Sequence, residues 1–178
     1  MKKTNAVRVL DKLKITYELL EYEINEQDLS AENVAQKLSQ PLEQIFKTLV
    51  IRGDRTGILV ACIPGGFELD LKAVASLSKN KKVTMVHLKE IKTLTGYIRG
   101  GVSPLGMKKY YPTYVDESAL RFPSILISAG VRGLQLKLNP GDLFKAIKLI
   151  AGKFAVKQLS FLGKKIEVNI PGKGYNKK

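Results

Sequence analysis

Ile45-Phe46-Lys47-Thr48-Leu49-Val50-Ile51-Arg52-Gly53-Asp54-Arg55-Thr56-Gly57-Ile58-Leu59-Val60-Ala61-Cys62-Ile63 contains two apolar, β-prone runs separated by four turn-forming residues. Gly53 to Thr56 is good hairpin-turn chemistry, so the stretch reads as two antiparallel strands, 45–52 and 57–63. Alternate residues of a strand share a face. Ile45, Lys47, Leu49 and Ile51 therefore point one way, and Phe46, Thr48, Val50 and Arg52 the other. Lys47 is the anomaly, because its face is otherwise wholly apolar. An ammonium there must be paired, must snorkel to water, or must line a cavity that takes an anionic or carbonyl group.

Outward from the hairpin, helices and strands mix irregularly. Val7, Leu10 and Leu13 have helical spacing behind a Thr4 or Asn5 cap, and residues 15–23 read as a strand. Ser30 caps a helix carrying Ala31, Val34, Ala35 and Leu38 on one face, and Ser39 and Pro41 open a short helical turn. Asp70 caps a helix reaching Ser78. Residues 83–86 are a short β-prone run, and a helix over 88–94 ends at Gly96. Residues 114–116, 124–128 and 134–138 read as short strands. Asn139, with Pro140 in the first turn, starts a helix whose stripe is Leu143, Ala146, Ile147 and Ile150 and which Gly152 ends. This order predicts a mixed α/β (α+β) fold rather than a doubly wound sheet.

The chain has 178 residues, which favours one domain, and ordinary globular composition, with 44% hydrophobic and 26% charged residues. Lysine and arginine total 30 against 16 acids, a net charge of +14, which suggests a polyanionic partner, either nucleic acid or an acidic membrane surface. A lone cysteine, Cys62, excludes an intrachain disulfide and a cysteine zinc cluster, and a lone histidine, His87, narrows any histidine chemistry to one residue. Cys62 reads as a small buried hydrophobe and His87 as a cap-region or surface residue. No metal and no cofactor is called for. The longest apolar run, Ile58 to Ile63, is far shorter than the ~18 residues of a spanning helix. The basic start lacks the apolar stretch of a signal peptide, so the expected location is cytoplasmic, with no membrane partner.

Two glycine-rich loops add a second candidate feature. Gly100-Gly101-Val102-Ser103-Pro104-Leu105-Gly106 permits close backbone approach to a ligand, but it matches neither a phosphate loop nor a dinucleotide fingerprint. Ser128-Ala129-Gly130-Val131-Arg132-Gly133 is a similar, weaker element. Asp116 ends a short strand and can cap the turn at 117–120. Tyr110, Tyr111 and Tyr114 follow Lys108 and Lys109, which suits either an unpaired nucleotide end or core packing. From residue 152 onward there are seven lysines and one glutamate, a net of 7 − 1 = +6.

Phe46-Lys47-Thr48-Leu49, Leu69-Asp70-Leu71-Lys72, Thr95-Gly96-Tyr97, the loop 100–106 and Ser128 to Leu134 occur together in one order and spacing. In these blocks the sequence resembles the YbaK/EbsC family, the bacterial Cys-tRNA(Pro) deacylases, which are relatives of the editing domain inserted in prolyl-tRNA synthetases. The resemblance implies a barrel-like mixed β-sheet with flanking helices. It places a deacylase domain over residues 1–158 and leaves 159–178 as a basic C-terminal extension. It implies a trans-editing aminoacyl-tRNA deacylase that hydrolyses the ester of mischarged tRNA, chiefly Cys-tRNA(Pro), in transient complex with prolyl-tRNA synthetase. Lys47 falls on the family's essential lysine and Gly101 on a pocket glycine whose backbone contacts the ester. Tyr22, Thr48, Gly100, Ser103, Ser128, Gly130 and Gln135 fall among the substrate-binding positions. Gln135 departs from an aspartate that often follows Gly-Leu in the second loop. The resemblance also implies attack by the substrate cysteine's own thiol. The alternatives are an Ala-tRNA(Pro) or broader deacylase, and a non-catalytic tRNA-binding module.

Overall fold

The structure, a computed structural model, describes residues 2–158. The basic extension expected over 159–178 lies outside the described residues. Helix α1 (Asn5–Lys12) starts where the Thr4 side chain accepts the Val7 N–H, and it buries Ala6, Val7 and Leu10. Helix α2 (Ala31–Leu38) starts on Ser30, α3 (Leu71–Leu77) on Asp70 and α5 (Pro140–Ala146) on Asn139, each side chain accepting a backbone N–H of the first turn. These caps satisfy amide groups that the helix itself leaves unpaired. Helix α4 (Leu88–Thr95) has His87 at the cap position without a side-chain bond, and ends on Gly96 at φ 81°.

Among the described residues the strands form three sheets. β5 (Val83–Met85), β2 (Phe46–Gly53), β3 (Gly57–Pro64), β6 (Thr113–Asp116) and β9 (Leu149–Gly152) lie in that order in a five-stranded sheet. β2 and β3 are the expected hairpin, in register from Phe46–Pro64 to Gly53–Gly57, while β3–β6 and β6–β9 are parallel. β1 (Glu18–Glu21), β8 (Leu134–Leu138) and β7 (Ile125–Ser128) make an antiparallel sheet of three. β4 (Phe67–Leu69) and β10 (Ala155–Lys157) pair antiparallel. A single bridge from Ile45 to Leu126 links the first two sheets. The mixed α/β fold is the expected one; its barrel-like part is open, with two sheets joined by this bridge and the β4–β10 pair beside them, and does not close into a barrel. Ile45 precedes β2 instead of opening it.

β3 is buried on both faces, which explains its unbroken apolar run. Val60 and Cys62 face a core shared with α1, β7 and β8, whereas Leu59, Ala61 and Ile63 face one shared with Val74, Ala75 and Phe154 of α3 and the link before β10. A smaller cluster of Val50, Val86 and Ile91 seats α4 beside β2.

The helix expected to continue from Asn139 to Gly152 stops at Ala146, and Leu149–Gly152 is strand β9. Pairing with β6 overrides the helical spacing of Ile147 and Ile150, and Ile150 is exposed. Among the described residues no helix is long and apolar enough to cross a membrane.

Candidate active site

A cleft of about 460 Å³ opens over the beginning of β2. Lys47 and Thr48 project from that strand. The first turn of α2 supplies Glu32, the loop after α4 supplies Arg99, Gly100 and Val102, and β7 and β8 supply Ser128 and Gln135. Tyr22, which follows β1, closes the wall; its N–H donates to the Gly133 carbonyl at 2.9 Å.

Lys47 is partly buried and makes no ion pair or side-chain hydrogen bond among the described residues. Burial pushes its pKa down from the usual 10.5, and the carboxylates of Glu32 and Glu68 act against that shift. Of the readings open to the sequence, the one realised is a cavity-lining lysine. Gln135 is 5% exposed, and its Oε1 is buried without a hydrogen-bond partner. Leaving such an oxygen unpaired costs about 1–3 kcal/mol. Ser128 is also buried, and its hydroxyl oxygen accepts the Gly130 N–H at 3.1 Å, which leaves its own proton to donate.

Lys47, Tyr22, Thr48, Gly100, Ser128 and Gln135 therefore meet at one cleft. Gly101, Ser103 and Gly130 do not line it. The Gly101 N–H donates to the Ile98 carbonyl at 2.9 Å, closing a turn, so it is not free for an ester oxygen. A Cβ at Gly101 would lie 3.1 Å from the backbone of Val131 and Arg132, so this glycine lets the two loops pack together. Ser103 is fully buried, and its hydroxyl accepts the Leu105 N–H. Gly130, at φ 97°, lies against the Tyr97 ring, where a Cβ would come within 2.7 Å. Tyr97 in turn donates to the Leu105 carbonyl at 2.6 Å, and Arg132 Nε donates to the Arg99 carbonyl at 2.8 Å. The glycine loops are thus a mutually braced pair that presents only Arg99, Gly100 and Val102, on one side, and Ser128, on the other, to the cleft.

The remaining candidates lie elsewhere. Cys62 is fully buried, with its thiol pushed up to about 12 by burial, and His87 is exposed outside the cleft. Among the tyrosines, Tyr114 is core, Tyr111 donates to the Leu94 carbonyl, and Tyr110 is exposed. Sequence reasoning missed Glu32, Arg99, Gln158 and the apolar group Met85, Val86, Leu88 and Ile91, all of which line the cleft. Arg99 sits inside the glycine-rich stretch and was legible by position. Nothing local marks Gln158 or Met85.

An exposed glutamate, a lysine of lowered pKa, hydroxyls and an unpaired amide make a cleft that can bind a polar acyl group and stabilise negative charge. It holds no serine–histidine or cysteine–histidine pair among the described residues. Residues 26–146 match the model of the aminoacyl-tRNA editing domain. The chain is 50% identical over 153 residues to EbsC of Enterococcus faecalis (strain ATCC 700802 / V583), provisionally named a Cys-tRNA(Pro)/Cys-tRNA(Cys) deacylase; the match covers 86% of this chain and 92% of that protein. It is 33% identical over 100 residues to the proline–tRNA ligase of Sulfurihydrogenibium sp. (strain YO3AOP1), covering 56% of this chain and 17% of the ligase. A solved structure provisionally described as a trans-editing enzyme for prolyl-tRNA synthetase has the same fold, with a TM-score of 0.72 at 24% identity, covering 89% of this chain and 99% of that one.

Proposed function

The chain belongs to the aminoacyl-tRNA editing domain family, and from that premise we propose that it is a free-standing deacylase of mischarged tRNA, with Cys-tRNA(Pro) as its chief substrate. The observation that carries this reading is the pairing, in one cleft, of an ion-pair-free lysine with an amide oxygen that lacks a donor. Within residues 1–158, taken as one deacylase domain, the Lys47 ammonium stabilises the ester oxygen as it gains charge. Such a preorganised donor is worth about 100–1000-fold in rate. Gln135 Oε1 accepts from the α-ammonium of the aminoacyl group. Tyr22, Thr48 and Ser128 position that group, and Gly100 lets the backbone close on it.

With no histidine in the cleft to activate the Thr48 or Ser128 hydroxyl, the attacking atom is assigned to the substrate. The cysteinyl sulfur bonds to its own carbonyl carbon, the ester C–O bond breaks, and the thiol proton passes to the departing ribose oxygen. The products are a cysteine thiolactone, which water then opens, and tRNA with a free 3′ end. Holding sulfur and carbonyl in line contributes on the order of 7–11 kcal/mol in favourable cases. The small cleft does not reach the tRNA body, so identity comes from a partner, proposed to be prolyl-tRNA synthetase in a transient complex. The basic extension adds charge for the same polyanion, and the proposed setting is the cytoplasm.

The test is deacylation of Cys-, Ala- and Pro-charged proline tRNA by wild type and Lys47→Ala, with and without prolyl-tRNA synthetase. Lysine-dependent loss of the Cys ester alone is expected. Equal loss of the Ala ester retains editing but discards thiol attack. Binding without turnover of any ester leaves a binding module.

A further inference from the structure

The cleft has two chemically distinct halves, and the proposed chemistry uses only one. Lys47, Thr48, Ser128 and Gln135 form the polar half. The other half is an apolar shelf on Val86, Ile91 and Val102 that runs out to solvent at Met85, 48% exposed, and Leu88, 61% exposed. Arg99, exposed and outside any ion pair among the described residues, stands at its side. A volume of about 460 Å³ lies in the range of roughly 300–1,000 Å³ that accepts a drug-sized ligand, far more than a cysteinyl group fills. The shelf is held in place from behind. Ile91 and Val86 pack on Val50, and Arg52 pairs with Glu90 at 2.9 Å across β2 and α4. Two large apolar side chains are therefore held out at the mouth of a cleft by a rigid backing rather than by a loose loop.

The geometry points to this shelf as the seat of the 3′-terminal adenine of the tRNA, with Arg99 on the adjoining phosphate. This rests on the deacylase reading above. The aminoacyl ester is joined directly to the terminal ribose, so the base must lie within one sugar of the polar half. Methionine and leucine offer a sequence-tolerant apolar face for a base, and an arginine beside it suits both a phosphate and the base's π-face. The shelf has no polar side chain for an ammonium, which assigns the amino acid to the other half. Met85 and Leu88 are thus substrate-positioning residues that distinguish a nucleotide ester from a free amino-acid ester.

Proline tRNA ending in 8-azidoadenosine, photolysed with the wild-type protein, locates the base directly. The expected adduct lies between Met85 and Arg99. An adduct at Lys108–Thr113 outside the cleft, an adduct at Lys47, Thr48, Ser128 or Gln135 in the polar half, or no adduct at all with tRNA bound, overturns the assignment. In parallel, Met85→Ala and Leu88→Asp are expected to raise KM for Cys-tRNA(Pro) about 5–10-fold with kcat unchanged, since both side chains are exposed and provide uniform binding. A fall in kcat with KM unchanged overturns it as well. Deacylation by wild type is scored separately. An adduct on the shelf without turnover sinks the deacylase reading and leaves the base site standing, whereas turnover with the adduct elsewhere does the reverse.

Discussion

Lys47 and Gln135 are both poorly matched to their surroundings in the free protein, and that mismatch is what a substrate relieves. Burial holds the Lys47 pKa below 10.5. Between that lowered value and 10.5 the unfolded chain binds a proton that the folded chain has released. Folding stability therefore rises with pH across this window, and the penalty is fully present below it. Lys47→Met removes the penalty, so at neutral pH the variant should be inactive yet at least as stable as wild type in urea titration. The rate, corrected for spontaneous ester hydrolysis, should fall on the alkaline side before pH 10.5 is reached; a rate still level there would mean that the ammonium is not the working form. Gln135→Leu removes the orphan oxygen along with its function. The expected result is a gain of about 1 kcal/mol in stability together with a rise in KM for the aminoacyl ester. A loss of stability would mean that the amide is already satisfied in the free protein. Lys47 was legible in the sequence because one charge interrupted an apolar face. The burial of Gln135 was not, since it depends on β8 being covered on both sides.

At the scale of elements, Asp116 shows how one cap can fasten several segments. The sequence marks it as a cap for a turn at 117–120, and Oδ1 does accept the Ser118 N–H at 3.2 Å, at the head of a helical turn over Glu117–Arg121. Its Oδ2 also accepts the N–H groups of Phe154, at 3.2 Å, and Ala155, at 3.0 Å, fixing the link between β9 and β10. Asp116→Ala strands those donors and should cost about 2–3 kcal/mol, read as a lower urea midpoint with an unchanged m-value. A shift under about 0.5 kcal/mol would mean that water replaces the carboxylate. The same contrast separates what was legible from what was not. Thr4, Ser30, Asp70 and Asn139 were readable as caps because a cap acts within three residues of itself. β4 and β10 were missed because each is three residues long and exists only through the other, far along the chain. In the glycine loops the residue types were legible but their directions were not. Gly101 and Gly130 serve loop packing, and only the fold reveals which backbone groups remain free.

The whole molecule carries a net charge of +14. A cleft that takes only the end of a tRNA leaves the rest of the acceptor arm to contacts outside it, and the charge surplus suits a sequence-blind hold on phosphate. Salt should therefore act on one kinetic constant and spare the other. Each duplex phosphate contact contributes about 0.9 to the slope of log affinity against log salt, so three contacts weaken binding about 40-fold between 50 and 200 mM. Lys47 is partly buried, and a shielded charge is screened far less than an exposed one. KM for Cys-tRNA(Pro) should climb steeply over that range while kcat at saturation holds nearly constant. Steady-state deacylation at four salt concentrations decides the point. A level KM would show that tRNA is held by the cleft and a protein partner without the basic surface. A kcat that falls in step with affinity would mean that the charge stabilising the ester oxygen is exposed to solvent, against the burial on which the role of Lys47 rests.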